Sequence, residues 1–170
     1  MIARSSAARA AASVVLAGAL LVGTAGCTFI SRQATLIQYD PSDGVGTSVG
    51  TVQVRNAIAL SNDEGSVVSL MITLVNSGTK IANVNLQYET SGEKVTTTKS
   101  VLPGKVATYG TTPDDTRIII VDPGVEPGAL YPVYIQYGDN EGTELLVPVL
   151  TEAGNESYEG LFPPEDDTAN

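Results

Sequence analysis

From Ala34 onward the chain alternates short apolar runs with clusters of turn residues. Residues 50–60 (GTVQVRNAIAL) set Val52 and Val54 against Gln53 and Arg55, the period-two pattern of a strand buried on one face. Residues 66–75 (SVVSLMITLV) are apolar at nearly every position, as in a central strand covered on both faces. Residues 82–89 alternate Val84, Leu86 and Tyr88 with Asn83, Asn85 and Gln87. Across Ser91-Gly92 follow residues 94–101, whose Thr96-Thr97-Thr98 and flanking lysines read as an edge strand, where charge discourages pairing with another chain. Residues 106–109 and 117–121 (RIIIV) are shorter candidates. Residues 131–137 and 143–150 flank Gly138-Asp139-Asn140-Glu141-Gly142, a hairpin signal. Residues 35–39 form one more short candidate, closed by Asp40-Pro41-Ser42-Asp43-Gly44. A strand roughly every ten residues, punctuated by Gly and Pro and without helical periodicity, predicts an all-β sandwich.

Both ends of the chain depart from this pattern. Residues 1–27 (MIARSSAARAAASVVLAGALLVGTAGC) place Arg4 and Arg9 before an uncharged apolar run from Ala10 to Val22. Small residues, Thr24-Ala25-Gly26, then lead into Cys27. This is the layout of a secretory signal, too short to be a stable membrane span. Small residues closing the apolar run directly before a cysteine resemble the bacterial lipobox. That resemblance implies cleavage between Gly26 and Cys27, with diacylglycerol on the Cys27 sulfur. Two or three acyl chains hold a protein on a membrane far more firmly than one. At the other end, residues 152–170 are acidic, carry Pro163-Pro164 and lose the alternation, which predicts a mobile tail. The expected plan is a lipoprotein signal peptide over 1–26, a lipidated cysteine and tether over 27–34, the sandwich over 35–151 and an acidic C-terminal tail over 152–170.

Composition narrows the chemistry. Of 170 residues none is His or Trp, and Cys27 is the only cysteine. A Ser-His-Asp or Cys-His nucleophile system, an imidazole-ligated zinc and an internal disulfide are therefore excluded. The formal net charge is −10, and no basic residue follows Arg117. An acidic chain is repelled by phosphate backbones, so no nucleic-acid partner is expected.

Carboxylate chemistry needs no imidazole, and three neighbouring sets present themselves: Asp114 with Asp115, Asp122 with Glu126, and Asp139 with Glu141. Each lies in a Gly- or Pro-rich turn, where Asp side chains bond the local backbone. They are read as turn residues, and the chain is expected not to be an enzyme. Met71, the only methionine after the signal, sits in an apolar strand and reads as core. No cofactor is expected. The acidic tail carries three large apolar residues, Tyr158, Leu161 and Phe162. They either pack onto their own sandwich or dock on a partner. On the penultimate strand, Tyr134 should face opposite to Tyr131 and Tyr137.

Two stretches carry a family resemblance: VQVRNAIAL with SLMITLVNSGTKIANVNLQYE, and PGKVATYG with PGALYPVYIQYGDNEGTELLVPVL. They resemble the actinobacterial surface lipoproteins of the LpqE type and, more distantly, the PCu(A)C-type periplasmic copper chaperones. Val75-Asn76-Ser77-Gly78 is similar to the chaperones' apolar strand ending in Asn before a Gly turn. The span from Val133 to Val149 is similar to their closing hairpin. The resemblance covers roughly residues 35–150 and implies a Greek-key sandwich of the cupredoxin/immunoglobulin-like kind. The chaperones hold Cu(I) with His and Met side chains, and no position here inherits those ligands. The lipoprotein resemblance implies a membrane-anchored accessory subunit at the outer face of the cytoplasmic membrane, of the kind attached to the respiratory cytochrome supercomplex. The alternatives are a copper-chaperone-like metal-handling protein and an envelope lipoprotein carrying a small ligand.

Overall fold

The computed structural model describes residues 3–25, 42–153 and 155–163. They fall into two units, divided between Tyr39 and Asp40. The first contains one helix, α1 (Ala3–Ala25), whose Ser13 hydroxyl donates to the Arg9 carbonyl at 3.0 Å. No helix among the described residues is long and apolar enough to cross a membrane. Gly26, Cys27, the tether and the 35–39 strand candidate lie outside the described residues.

The second unit holds nine strands: β1 (Val45–Val49), β2 (Val52–Ser61), β3 (Val67–Asn76), β4 (Ala82–Thr90), β5 (Glu93–Val101), β6 (Val106–Tyr109), β7 (Ile119–Val121), β8 (Leu130–Tyr137) and β9 (Thr143–Thr151). They join in the order β5-β4-β8-β9-β2-β3-β6, with β1 on β2 and β7 on β3. The expected edge strand, β5, stands at one end of that order. Strand β9 makes the sheet curl. Its residues from Thr143 to Pro148 pair antiparallel with β8, and Val149, Leu150 and Thr151 pair in parallel with Ala59, Leu60 and Ser61 of β2. One strand thus serves both layers of the sandwich.

Between the layers lies the principal core, which includes Val52, Val54, Leu70, Leu74, Leu86, Tyr131, Ile135 and Val147. A register shift between Arg55 and Ile58, with Asn56 at φ 49°, inserts a bulge in β2. Before it Val52 and Val54 point inward; after it Ala57 and Ala59 do. The bulge therefore turns Ile58 and Leu60 to the outer face, where Met71 of β3 joins them. Strand β3 is largely apolar and covered on both faces: Val68, Leu70, Ile72 and Leu74 pack between the layers, and Met71 packs outside.

Candidate functional site

The cover on that outer face is the C-terminal segment. Beyond β9 the Asn155 side-chain oxygen accepts a hydrogen bond from the Ser157 amide at 3.1 Å and caps a single 3₁₀ turn at Glu156–Tyr158. The turn lays Tyr158, 7% exposed, against Ile58, Leu60 and Met71, with Leu150, Leu161 and Phe162 packed around them. The Tyr158 hydroxyl donates to Asp43 Oδ2 at 2.7 Å, and the Phe162 amide donates to Glu152 Oε1. Burial raises the Tyr158 phenol to a pKa of about 12, and the hydrogen bond to Asp43 and its charge push the same way.

Of the two outcomes open for Tyr158, Leu161 and Phe162, the structure has self-packing. Residues 155–163 are thus an ordered cover where composition predicted a mobile tail: three large apolar side chains find a matching apolar face, and burying them offsets the cost of ordering the chain. Residues 164–170 lie outside the described residues.

Beside this cover runs an open cleft of about 1190 Å³, lined by Ser61, Asn62, Asp63, Glu64, Glu152, Glu156, Glu159 and Phe162 among others. Its β2–β3 wall is braced by Asn62. The Asn62 amide donates to Glu64 Oε2 at 2.9 Å and to Ser66 Oγ at 2.8 Å, while its oxygen accepts from the Val67 amide at 3.1 Å. Five carboxylates thus meet at one end of the sandwich, contributed by the β2–β3 turn and the C-terminal segment. Such a surface attracts cationic groups.

Of the carboxylate sets read from the sequence, the Asp115 side chain bonds its own loop. Asp115 accepts from the Thr111 amide at 3.0 Å, the Thr111 hydroxyl at 2.6 Å and the Thr112 amide at 3.1 Å. These bonds, the Thr111 hydroxyl foremost, hold its carboxyl below the usual carboxylate range. Asp122 sits at φ 47° in a turn, where its amide donates to the Ser66 carbonyl and its carbonyl accepts from the Ser91 amide. On β8, Tyr131 is buried with its hydroxyl on the Glu89 carbonyl, Tyr134 is 40% exposed, and Tyr137 packs on the core.

Among the described residues no donor set fits a soft-metal site. The sequence offers no imidazole, and the Met71 thioether, 3% exposed, is sealed under Tyr158. Among the described residues no three His, Cys, Asp or Glu side chains are grouped so as to hold one metal ion. Two side chains that sequence reasoning passed over matter here. Asp43, assigned only to a turn, is the acceptor that pins Tyr158. Asn76, assigned only to a strand end, is fully buried and ties three chain segments together.

No protein-family model and no curated protein matches the sequence. Solved structures do match the fold. The chain is similar to the apo PCuAC domain from PmoF1, with a TM-score of 0.51 and 12% identity, over 62% of this chain and 98% of that one. The copper-bound and apo PCuAC domains from PmoF2 superpose with TM-scores of 0.48 and 0.49, each at 14% identity and over 97% of their own length, covering 62% and 64% of this chain. At this identity the likeness to the PmoF1 domain establishes the fold alone: the sandwich is cupredoxin-like.

Proposed function

We propose that the chain is an exported lipoprotein, anchored through Cys27 at the outer face of the cytoplasmic membrane, that works by binding as an accessory subunit of a membrane-protein complex and does not catalyse a reaction. The observation that carries this reading is the cleft where Asp63, Glu64, Glu152, Glu156 and Glu159 converge beside a self-docked C-terminal segment. A preassembled carboxylate surface selects a partner with a basic face, speeds the encounter and rejects acidic surfaces. The respiratory assembly suggested by the lipoprotein resemblance is the first partner to look for. Mild-detergent co-purification followed by mass spectrometry tests this. Substituting Glu152→Lys, Glu156→Lys and Glu159→Lys together should slow association about tenfold or more. Raising the salt on the unaltered chain should weaken capture too, because the screening length shrinks to about 3 Å at 1 M. Capture indifferent to both would reject the cleft as the docking surface, and a turnover activity lost on substituting one carboxylate would reject the binding reading.

Copper handling has the fold in its favour and the donor set against it. Titrating Cu(I) into the chain from residue 28, under reducing conditions, separates the two. We expect no stoichiometric tight binding, since two or three thioether, imidazole or thiolate donors are what that ion takes. A sharp one-to-one end point would reverse the assignment.

A further inference from the structure

The acidic cleft marks one end of the sandwich, and the opposite end has different chemistry. There the turn between β3 and β4 reads Ser77-Gly78-Thr79-Lys80-Ile81, and the chain between β5 and β6 reads Leu102-Pro103-Gly104-Lys105. Neither contains an acid. Their positions relative to each other are fixed by Asn76. Its side-chain amide donates to the Lys80 carbonyl at 2.7 Å and to the Val101 carbonyl at 3.0 Å, and its own amide donates to the Lys105 carbonyl at 3.0 Å. The strand ladders agree, since Ala82 pairs with Val101 and Val75 with Val106. Three aliphatic side chains consequently stand out beside one another, uncovered by any of the described residues: Ile81 is 55% exposed, Leu102 57% and Val106 60%. Lys80 and Lys105 are exposed among them. These are two of only four lysines in the whole sequence.

We infer that Ile81, Leu102, Val106, Lys80 and Lys105 form a membrane-contact surface that seats the sandwich on an anionic phospholipid bilayer. Protruding aliphatic residues enter the headgroup region, and each lysine gains from the negative surface potential. Charge selects both the occupant and the orientation. A chain with a net charge of −10 is repelled as a whole by an anionic bilayer, and a lysine-bearing patch whose own turns hold no acid lowers that cost. The turn carrying Asp139 and Glu141 also lies at this end, beside the β1–β2 turn, where Asn140 approaches Gly50. It limits the contact to a shallow one on the lysine side. The inference deepens the anchored reading and draws its purpose from it. Chain length permits the pose: residues between Cys27 and β1 reach at most roughly 60 Å when extended, against about 33 Å for a ten-residue strand. With this end on the lipid, the carboxylate cleft points away from the membrane, toward a partner.

Every core residue among the described residues lies between Val45 and Phe162, so the chain from residue 28 carries that core without the anchor. That anchor-free chain is mixed with vesicles of equal parts phosphatidylglycerol and phosphatidylcholine and floated on a density gradient. It should float with these vesicles and stay behind with phosphatidylcholine alone or in high salt. Lys80→Gln and Lys105→Gln should each weaken partitioning about fivefold. The triple change Ile81→Ser, Leu102→Ser, Val106→Ser should weaken it about tenfold or more at unchanged charge. All five positions are exposed, so the variants should melt with the unaltered chain. Since residues 28–170 contain no cysteine, Leu102→Cys carrying an environment-sensitive dye should shift to the blue on these vesicles, while Glu126→Cys at the far end should not. Absence of flotation, or flotation indifferent to these substitutions, overturns the inference. So does a photocrosslinker at Leu102 that captures a protein in place of lipid in intact cells. Acylation of Cys27 is read separately, from the mass of the full chain extracted from membranes, so the surface and the anchor fail or succeed independently.

Discussion

Replacing Asn76 with Asp should destabilise the sandwich by about 4 kcal/mol at neutral pH, because the new carboxylate is buried and opposed by two carbonyl oxygens. In the native side chain the oxygen accepts from the Gly78 amide at 2.9 Å, and the nitrogen donates to the Lys80 and Val101 carbonyls. Aspartate keeps the first bond and loses both others. The penalty has a pH signature. Burial raises the folded-state pKa of the introduced acid above its ordinary value of about 3.9. The protonated variant restores one donor, so its stability is greatest in acid and declines as pH rises past about 4. Asn76→Ala leaves the same carbonyls unpaired and should cost about 3 kcal/mol, without that pH dependence. Urea unfolding of the three chains at pH 5 and pH 7 measures both effects, and the Asp variant's Tm at pH 7 should fall by roughly 10–20 °C. Equal losses for Asp and Ala at both pH values would mean that the buried charge adds nothing to the loss of the donor pair, and negligible losses for both would mean that the donor pair carries no special weight. The substitution also loosens the frame that holds Lys80 and Lys105 in place, so vesicle binding should fall with it.

The strands were legible because a half-buried strand has to alternate. Val84, Leu86 and Tyr88 against Asn83, Asn85 and Gln87 leave little choice, and β4 faces the core as that pattern requires. Strand β1 was not legible: Val45–Val49 is short, contains Gly and Ser, and resembles a loop until it pairs with β2. The bulge at Asn56 was hidden for a related reason. One extra residue exchanges the two faces, so Val52 and Ala57 both point inward although an even period would separate them. Composition misled at the C-terminus. Acidic residues and prolines describe a solvated chain on average, but burial is decided by particular side chains, and Tyr158 meets a face prepared by Ile58, Leu60 and Met71. The acidic cleft and the lysine-bearing aliphatic patch could not be read from the sequence, because each is assembled from segments far apart in the chain. Lys80 and Lys105 become neighbours only through the register of β3, β4, β5 and β6.

Removing the ring of Tyr158 should expose the outer face of β2 and β3 and cost about 3–4 kcal/mol, the range for truncating a buried aromatic residue to alanine. The loss is compounded because the same side chain holds the C-terminal segment down. With Tyr158→Ala, Leu161 and Phe162 lose their central contact, and Ile58, Leu60 and Met71 meet water. A hydrophobic dye should then bind the folded variant, and proteolysis should cut near Glu152 while leaving the strands intact. Tyr158→Phe separates packing from the polar contact: it retains the ring, gives up the bond to Asp43, and should cost about 1 kcal/mol. It should also change the alkaline limb of the stability profile. The unfolded phenol ionises near 10, whereas the folded one holds its proton to about 12. The native state therefore binds more protons than the unfolded state between those values, and stability falls as pH rises from 10 toward 12. Tyr131, also raised to about 12 by burial, contributes in the same direction and remains in the variant, so Tyr158→Phe should flatten this decline without abolishing it. Unfolding free energies measured at pH 8 and pH 11 provide the check. If the unaltered chain and Tyr158→Phe decline equally, the phenol does not hold the cover; if Tyr158→Ala binds no dye and resists the protease, the segment stays down without its anchor.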